Sequence, residues 1–137
     1  METAVMTNTM VVKEAYGFFS QGNIPALLEN LSDDVSWVSP GPKEFTPWAG
    51  RYTGKKQVAE FFHLVSQEID FLKFEPREFI EQGNKVIALG YMEGKSRKTG
   101  KVAATEWAMA FTLKNGKVTH FREYADTYEA YKAFSSN

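Results

Sequence analysis

Arg122, Tyr124 and Asp126 stand at alternate positions in the run from Lys117 to Asp126, Lys-Val-Thr-His-Phe-Arg-Glu-Tyr-Ala-Asp. A guanidinium and a phenol can hold or polarise an oxygen, and a carboxyl can exchange a proton with a carbon acid. The trio therefore suits acid–base chemistry on a carbonyl compound. A cation and a carboxylate at this spacing also suit a plain ion pair at the edge of a sheet. A strand must bring the three together. Asn115-Gly116 lies between two apolar runs and signals a tight hairpin, so residues 117–126 read as a strand leaving the turn. Strand side chains alternate, which puts Val118, His120, Arg122, Tyr124 and Asp126 on one side, expected to face a pocket.

The partner in the hairpin, residues 101–114, carries Trp107, Met109 and Phe111 on one side and Glu106, Ala108, Ala110 and Thr112 on the other. Trp107 and Met109 are expected pocket walls, although each would serve equally as core. The small residues Ala108, Ala110 and Thr112, joined by Phe121 and Ala125, are expected to form a flat outer face that packs on a second copy of the chain.

Helices precede these strands. Val11, Val12, Ala15, Phe18 and Phe19 recur at helical spacing over residues 5–21, stopped by Gly22. Asn23 can cap a short second helix with Pro25 in its first turn. Residues 33–39 alternate around Val35 and Trp37 as a short strand. The loop 40–50 carries Phe45 and Trp48, large for a solvated turn and suited to a lid. Thr53 can cap a third helix that buries Val58, Phe61, Phe62, Val65 and Ile69. Strands follow over about 71–82, 85–97, 101–114 and 117–126, then a helical turn or two from Thr127 to Phe134. Three helices followed by a meander predict an α+β fold: a curved antiparallel sheet wrapped on helices, one domain over residues 1–137, with a cavity between the layers.

Composition narrows the function. The 137 residues carry 16 basic and 17 acidic side chains, a net charge of −1, so no basic excess exists to neutralise phosphates and nucleic acid is not an expected partner. With no cysteine, disulfides and thiolate chemistry are excluded. His63 and His120 have no ligand-spaced companions, so neither a metal nor an organic cofactor is expected. No apolar run approaches a membrane span, and Met1 to Val5 lack the charge and apolar pattern of a secretory signal, which makes a cytoplasmic location the expectation. Aromatic residues reach 15%, enough to line a pocket for an apolar ligand as well as fill a core.

Ser20-Gln-Gly-Asn23, Leu31-Ser-Asp-Asp-Val-Ser-Trp37, Tyr52-Thr-Gly54, Glu106-Trp-Ala-Met-Ala-Phe111, and Asn115-Gly-Lys-Val118 leading to Arg122-Glu-Tyr-Ala-Asp126 resemble, in this order, the family of nuclear transport factor 2, ketosteroid isomerase and the SnoaL-like polyketide cyclases. The resemblance covers nearly the whole chain. It implies a cone-shaped α+β barrel of cystatin-like fold, a homodimer, and a ligand cavity between sheet and helices. The isomerases' general-base Asp falls at Ser39 here, their first-helix Tyr near Ala15, and their proton-donating Asp near Met109. These departures argue against steroid isomerisation unless Tyr16 substitutes after a shift of one position. The Arg and Asp of the limonene-epoxide-hydrolase type are replaced within Gly90-Tyr91-Met92, whereas a carboxylate ending the last strand matches Asp126.

Two functions fit. In the first, Asp126 exchanges a proton with a small apolar carbonyl compound, Arg122 and Tyr124 hold its oxygen, and Trp37, Ser39, Phe62, Trp107, Met109 and His120 contact it. An isomerisation, a cyclisation or a related lyase reaction would all suit such a site. In the second, the same cavity binds a hydrophobic metabolite, or the sheet docks a partner protein, without chemistry.

Overall fold

A computed structural model of the protein describes residues 6–136, so Val5, the expected start of the first helix, lies outside the described residues. Helix α1 (Asn8–Ser20) begins after Thr7, whose side chain accepts the Met10 N–H, and buries Val11, Val12 and Ala15. Helix α2 (Ile24–Glu29) is capped by Asn23 through the Ala26 N–H, with proline in its first turn. The remaining elements are β1 (Leu31–Ser39), β2 (Gly50–Thr53), α3 (Lys55–Glu68), β3 (Ile69–Gln82), β4 (Lys85–Ser96), β5 (Val102–Lys114), β6 (Lys117–Ala125) and α4 (Thr127–Phe134).

The chain is an α+β protein with helices packed on a curved six-stranded sheet in the order β2-β1-β6-β5-β4-β3. Its strands pair antiparallel except β1 with β6, which run parallel. Strand β2 was not expected. Its Tyr52 pairs with Trp37 of β1 and donates its hydroxyl hydrogen to the Trp48 carbonyl at 2.7 Å, which ties the preceding loop to the sheet. Thr53 consequently ends a strand and does not cap α3. Gly54 occupies the cap position with φ +85°, and the Thr53 N–H goes to the Gln57 side chain. Ile69 likewise opens β3, because α3 passes straight into extended backbone there.

Two of the sheet's local irregularities bear on the cavity. The β3–β4 pairing shifts between Pro76 and Glu78, where proline has no N–H to give the ladder. Opposite Pro76 stands Gly90. A Cβ there would collide with the Trp107 ring and come within 2.5 Å of the Glu75 carbonyl. The bare backbone lets the Trp107 indole lie across β4 and stack on Phe74, centroids 5.2 Å apart and planes 21° apart.

The second irregularity lies in β6. Leu113 pairs with Val118, but Thr112 pairs with His120, so Thr119 is an extra residue without a partner in the ladder. The bulge resets the alternation. Val118 and Phe121, three apart, both point inward, and both are buried. This corrects two expectations. Val118 does not share a face with His120, Arg122 and Tyr124. Phe121 and Ala125 belong to the inner face, Phe121 stacked on Trp37 with centroids 3.8 Å apart and Ala125 packed against the core opposite Trp107. Such a stacked pair contributes roughly 0.5–1.5 kcal/mol beyond its buried area.

Candidate functional site

Between the inner face of the sheet and the helices lies a cavity of about 140 Å³. Its wall is aromatic: Phe19 from α1, Trp37 from β1, Phe61 and Phe62 from α3, Phe71 and Phe74 from β3, and Phe121 from β6 are among its lining residues. Met92 and Met109 add flexible thioethers. Trp48 from the 40–49 loop and Phe134 from α4 also line it, and they meet edge to face at 4.9 Å. Phe45 meets Tyr131 in the same way at 4.9 Å, so loop and terminal helix are fastened together beside the cavity.

Two titratable side chains line this wall among the described residues, Glu123 and Tyr16. Glu123 is on the inner face of β6, opposite Met109 of β5. One of its oxygens, Oε1, accepts a hydrogen bond from the Ser39 hydroxyl at 2.9 Å. Burial raises the Glu123 pKa above the ordinary carboxylate value, and the Ser39 hydrogen bond opposes that rise. Tyr16 reaches in from α1. Its ring is held among Phe74, Phe79, Trp107 and Phe111, all within 6.0 Å centroid to centroid. Its hydroxyl donates to the Met109 sulfur at 3.1 Å, a weak acceptor that an incoming oxygen would readily replace. Burial, with a contribution from the Glu123 charge, pushes the phenol pKa far up, so Tyr16 stays protonated and serves as a donor. The arrangement is a proton carrier and an O–H donor in an aromatic chamber. It can move a proton at carbon while steadying charge on a nearby oxygen.

The residues singled out from the sequence divide into three groups. Trp37, Phe62 and Met109 line the cavity. Ser39 and Trp107 stand just behind it, Ser39 through its bond to Glu123 and Trp107 through its packing on Phe74 and Tyr16. His120, Arg122, Tyr124 and Asp126 are not brought into it. The Thr119 bulge turns the first three to the outer face, where the Arg122 guanidinium lies over the Tyr124 ring at 5.3 Å and Tyr124 is 53% exposed. His120 borders a shallow surface groove with Asp33, Asp34 and Lys55. Asp126 is exposed and caps α4, accepting the N–H groups of Tyr128 and Glu129 at 3.0 and 3.2 Å. The residue missed is Glu123. A signal for it existed: Val118 and Phe121 are both large and apolar, and burying both needs a bulge between them, which carries Glu123 inward two residues later.

Among the described residues no three histidine, aspartate or glutamate side chains converge on a metal-sized site. No helix among them is long and apolar enough to cross a membrane.

A family model described as "SnoaL-like domain" matches residues 12–121. An NTF2-like protein from Burkholderia xenovorans is similar in structure at 30% identity, with a TM-score of 0.85 over 93% of this chain and 95% of that one. An NTF2-like protein of unknown function from Burkholderia pseudomallei is similar at 27% identity, with a TM-score of 0.86 over 95% of this chain and 99% of that one. TerC, co-crystallised with polyporic acid, is similar at 27% identity, with a TM-score of 0.84 over 93% of this chain and 97% of that one. Among curated proteins no significant match is found.

Proposed function

The chain belongs to the SnoaL-like domain family, and from that premise we propose that it is a cofactor-independent enzyme in which Glu123 exchanges a proton with a small, apolar, carbonyl-bearing substrate. The supporting observation is the cavity's polar inventory: the half-buried Glu123 carboxyl of β6 and the Tyr16 phenol of α1, together with the Thr105 hydroxyl, in a largely aromatic and aliphatic wall. In the ionised state Glu123 takes a proton from the carbon next to the carbonyl. Tyr16 donates its O–H to the carbonyl oxygen as negative charge gathers there. With an unsaturated substrate Glu123 then returns the proton to the far carbon of the conjugated enolate, which moves the double bond; alternatively the carbanion attacks a second carbonyl in the same molecule, the new alkoxide oxygen takes the proton back from Glu123, and a ring closes. Burial favours this use of Glu123, since a carboxyl whose pKa is raised is a stronger base towards a carbon acid. Chamber size also narrows the substrate. About 140 Å³ compares with the roughly 150 Å³ that holds a benzene ring, so one ring fits as the walls stand and a larger molecule needs the mouth to open. TerC's co-crystallisation with polyporic acid supports an organic ligand for a chamber of this shape.

Arg122, Tyr124 and Asp126 are given no role in this reading, because none lines the cavity. The cysteine-free composition supports a cytoplasmic location. A homodimer is proposed through the outer sheet face, where the partly exposed Ile87, Leu89, Ala108 and Ala110 stand outside the hydrophobic core.

A thermal-shift screen against apolar carbonyl compounds, with turnover of each stabilising compound followed by NMR, tests the enzyme. Glu123→Gln is expected to bind the compound and leave it unconverted. Conversion at the wild-type rate by the folded variant would overturn the assignment. A second reading, a binding module that holds a hydrophobic metabolite without chemistry, is favoured by the lone carboxyl: no second proton carrier lines the wall among the described residues. Ligands that bind both proteins and are converted by neither would establish it.

A further inference from the structure

We propose that Ser39 is the positioning residue for Glu123: its hydroxyl holds one carboxyl oxygen against the end of β1 and leaves the other to face the cavity. The inference rests on Glu123 as the proton carrier and adds what orients it. Ser39 is fully buried, and among the described residues its hydroxyl bonds to Glu123 Oε1 at 2.9 Å. A buried hydroxyl costs stability unless it is bonded, so the serine is there for that bond or at the expense of the fold. Strand geometry makes the bond rigid. The parallel β1–β6 register pairs Trp37 with Phe121 and Val38 with Arg122, which brings the inward residues Ser39 and Glu123 level. On its other side Ser39 pairs with Gly50 of β2. The donor is therefore mounted inside a sheet paired on both edges. A carboxyl held at one oxygen is biased towards the orientation that leaves its other oxygen free for a substrate.

Few other groups compete for control of Glu123. Tyr16 faces it from α1 and is neutral. Met109 of β5, Phe62 of α3 and Phe134 of α4, which line the same chamber, carry no charge.

The test reads Glu123 directly, without a substrate. Side-chain carboxyl resonances are followed against pH in protein labelled with [13C]glutamate, and Glu123 is assigned by its absence in Glu123→Gln. Ser39→Ala is expected to move the Glu123 titration midpoint to higher pH, because the ionised form loses its hydrogen bond, and Ser39→Thr is expected to restore it. Should Ser39→Ala fail to fold, Ser39→Cys, a weaker donor of similar volume, is expected to move the midpoint in the same direction. A folded Ser39→Ala or Ser39→Cys protein with an unmoved midpoint would overturn the proposal. Once a substrate is in hand, the acidic limb of the kcat/KM profile is expected to follow the same shift. A shifted midpoint with no turnover in any variant would sink the enzyme and spare the coupling. Turnover lost in Glu123→Gln with no response to Ser39 would do the reverse.

Discussion

A carboxyl enclosed by phenylalanines makes stability depend on pH in a definite direction. Burial raises the pKa of Glu123 in the folded state above its unfolded value, so the fold binds the proton more tightly. Stability is fully present below the unfolded value near 4.5 and declines as pH rises through the raised one. Glu123→Gln, which cannot ionise, is expected to flatten that decline and to raise Tm at pH 8 relative to wild type; a Tm difference that does not change between pH 4 and pH 8 would contradict it. Tyr16→Phe removes the one O–H aimed at a substrate oxygen while keeping the ring among its four aromatic neighbours. It is expected to lower kcat about hundredfold, the scale for losing one such donor, with little change in stability. Asp126→Ala should behave oppositely. It removes the cap of α4, costs about 1 kcal/mol in denaturant unfolding, and leaves proton transfer at carbon intact. Trp37, Phe62 and Met109 were legible as cavity residues because apolar side chains at strand or helix spacing have only one sensible direction to face. Glu123 was legible only indirectly, through the bulge needed to bury both Val118 and Phe121, because a charged residue at an alternating position is ordinarily read as solvated.

Helices and hairpins declared themselves through their ends. Asn23 and the Asn115-Gly116 turn, with φ +52° and +77° in the turn, are local devices whose residues announce the geometry they need. Strand β2 and the Thr119 bulge are different in kind. Each exists because of a partner far along the chain: β2 needs Trp37 opposite Tyr52, and the bulge needs β5 and β1 on either side of β6. No local preference encodes that. Gly90 is a third such case. Its bare backbone makes room for Trp107, which in turn packs on Tyr16, so the element that seats the phenol donor begins two strands away. Gly90→Ala is expected to cost at least about 1–3 kcal/mol as the indole and the Glu75 backbone give way. It should also weaken ligand binding, through a displaced Tyr16. Denaturant unfolding with a thermal-shift titration of a cavity ligand checks both effects, and a well-folded variant with wild-type affinity would show that the indole relaxes freely.

At the scale of the whole molecule the sheet has two jobs, one per face. The inner face encloses the chamber, and the outer face carries the partly exposed Ile87, Leu89, Ala108 and Ala110, proposed above as the dimer surface. Sedimentation is expected to give twice the chain mass for wild type and the single chain mass for Ala110→Glu, with Glu123 titrating alike in both; a monomeric wild type would remove the dimer. Which side chains of β6 serve which face depends on the one surplus residue at position 119. That dependence bears on how the gene can change length. Loss of the Thr119 codon should be tolerated, since the ladder then closes into an ordinary one with Phe121 and Glu123 still directed inward. Loss of the Arg122 codon, only three positions later, would force the strand to exchange its faces on one side of the gap. A three-base deletion would be nearly silent in the first case and ruinous in the second, so related chains that differ in the length of this strand should differ at the bulge.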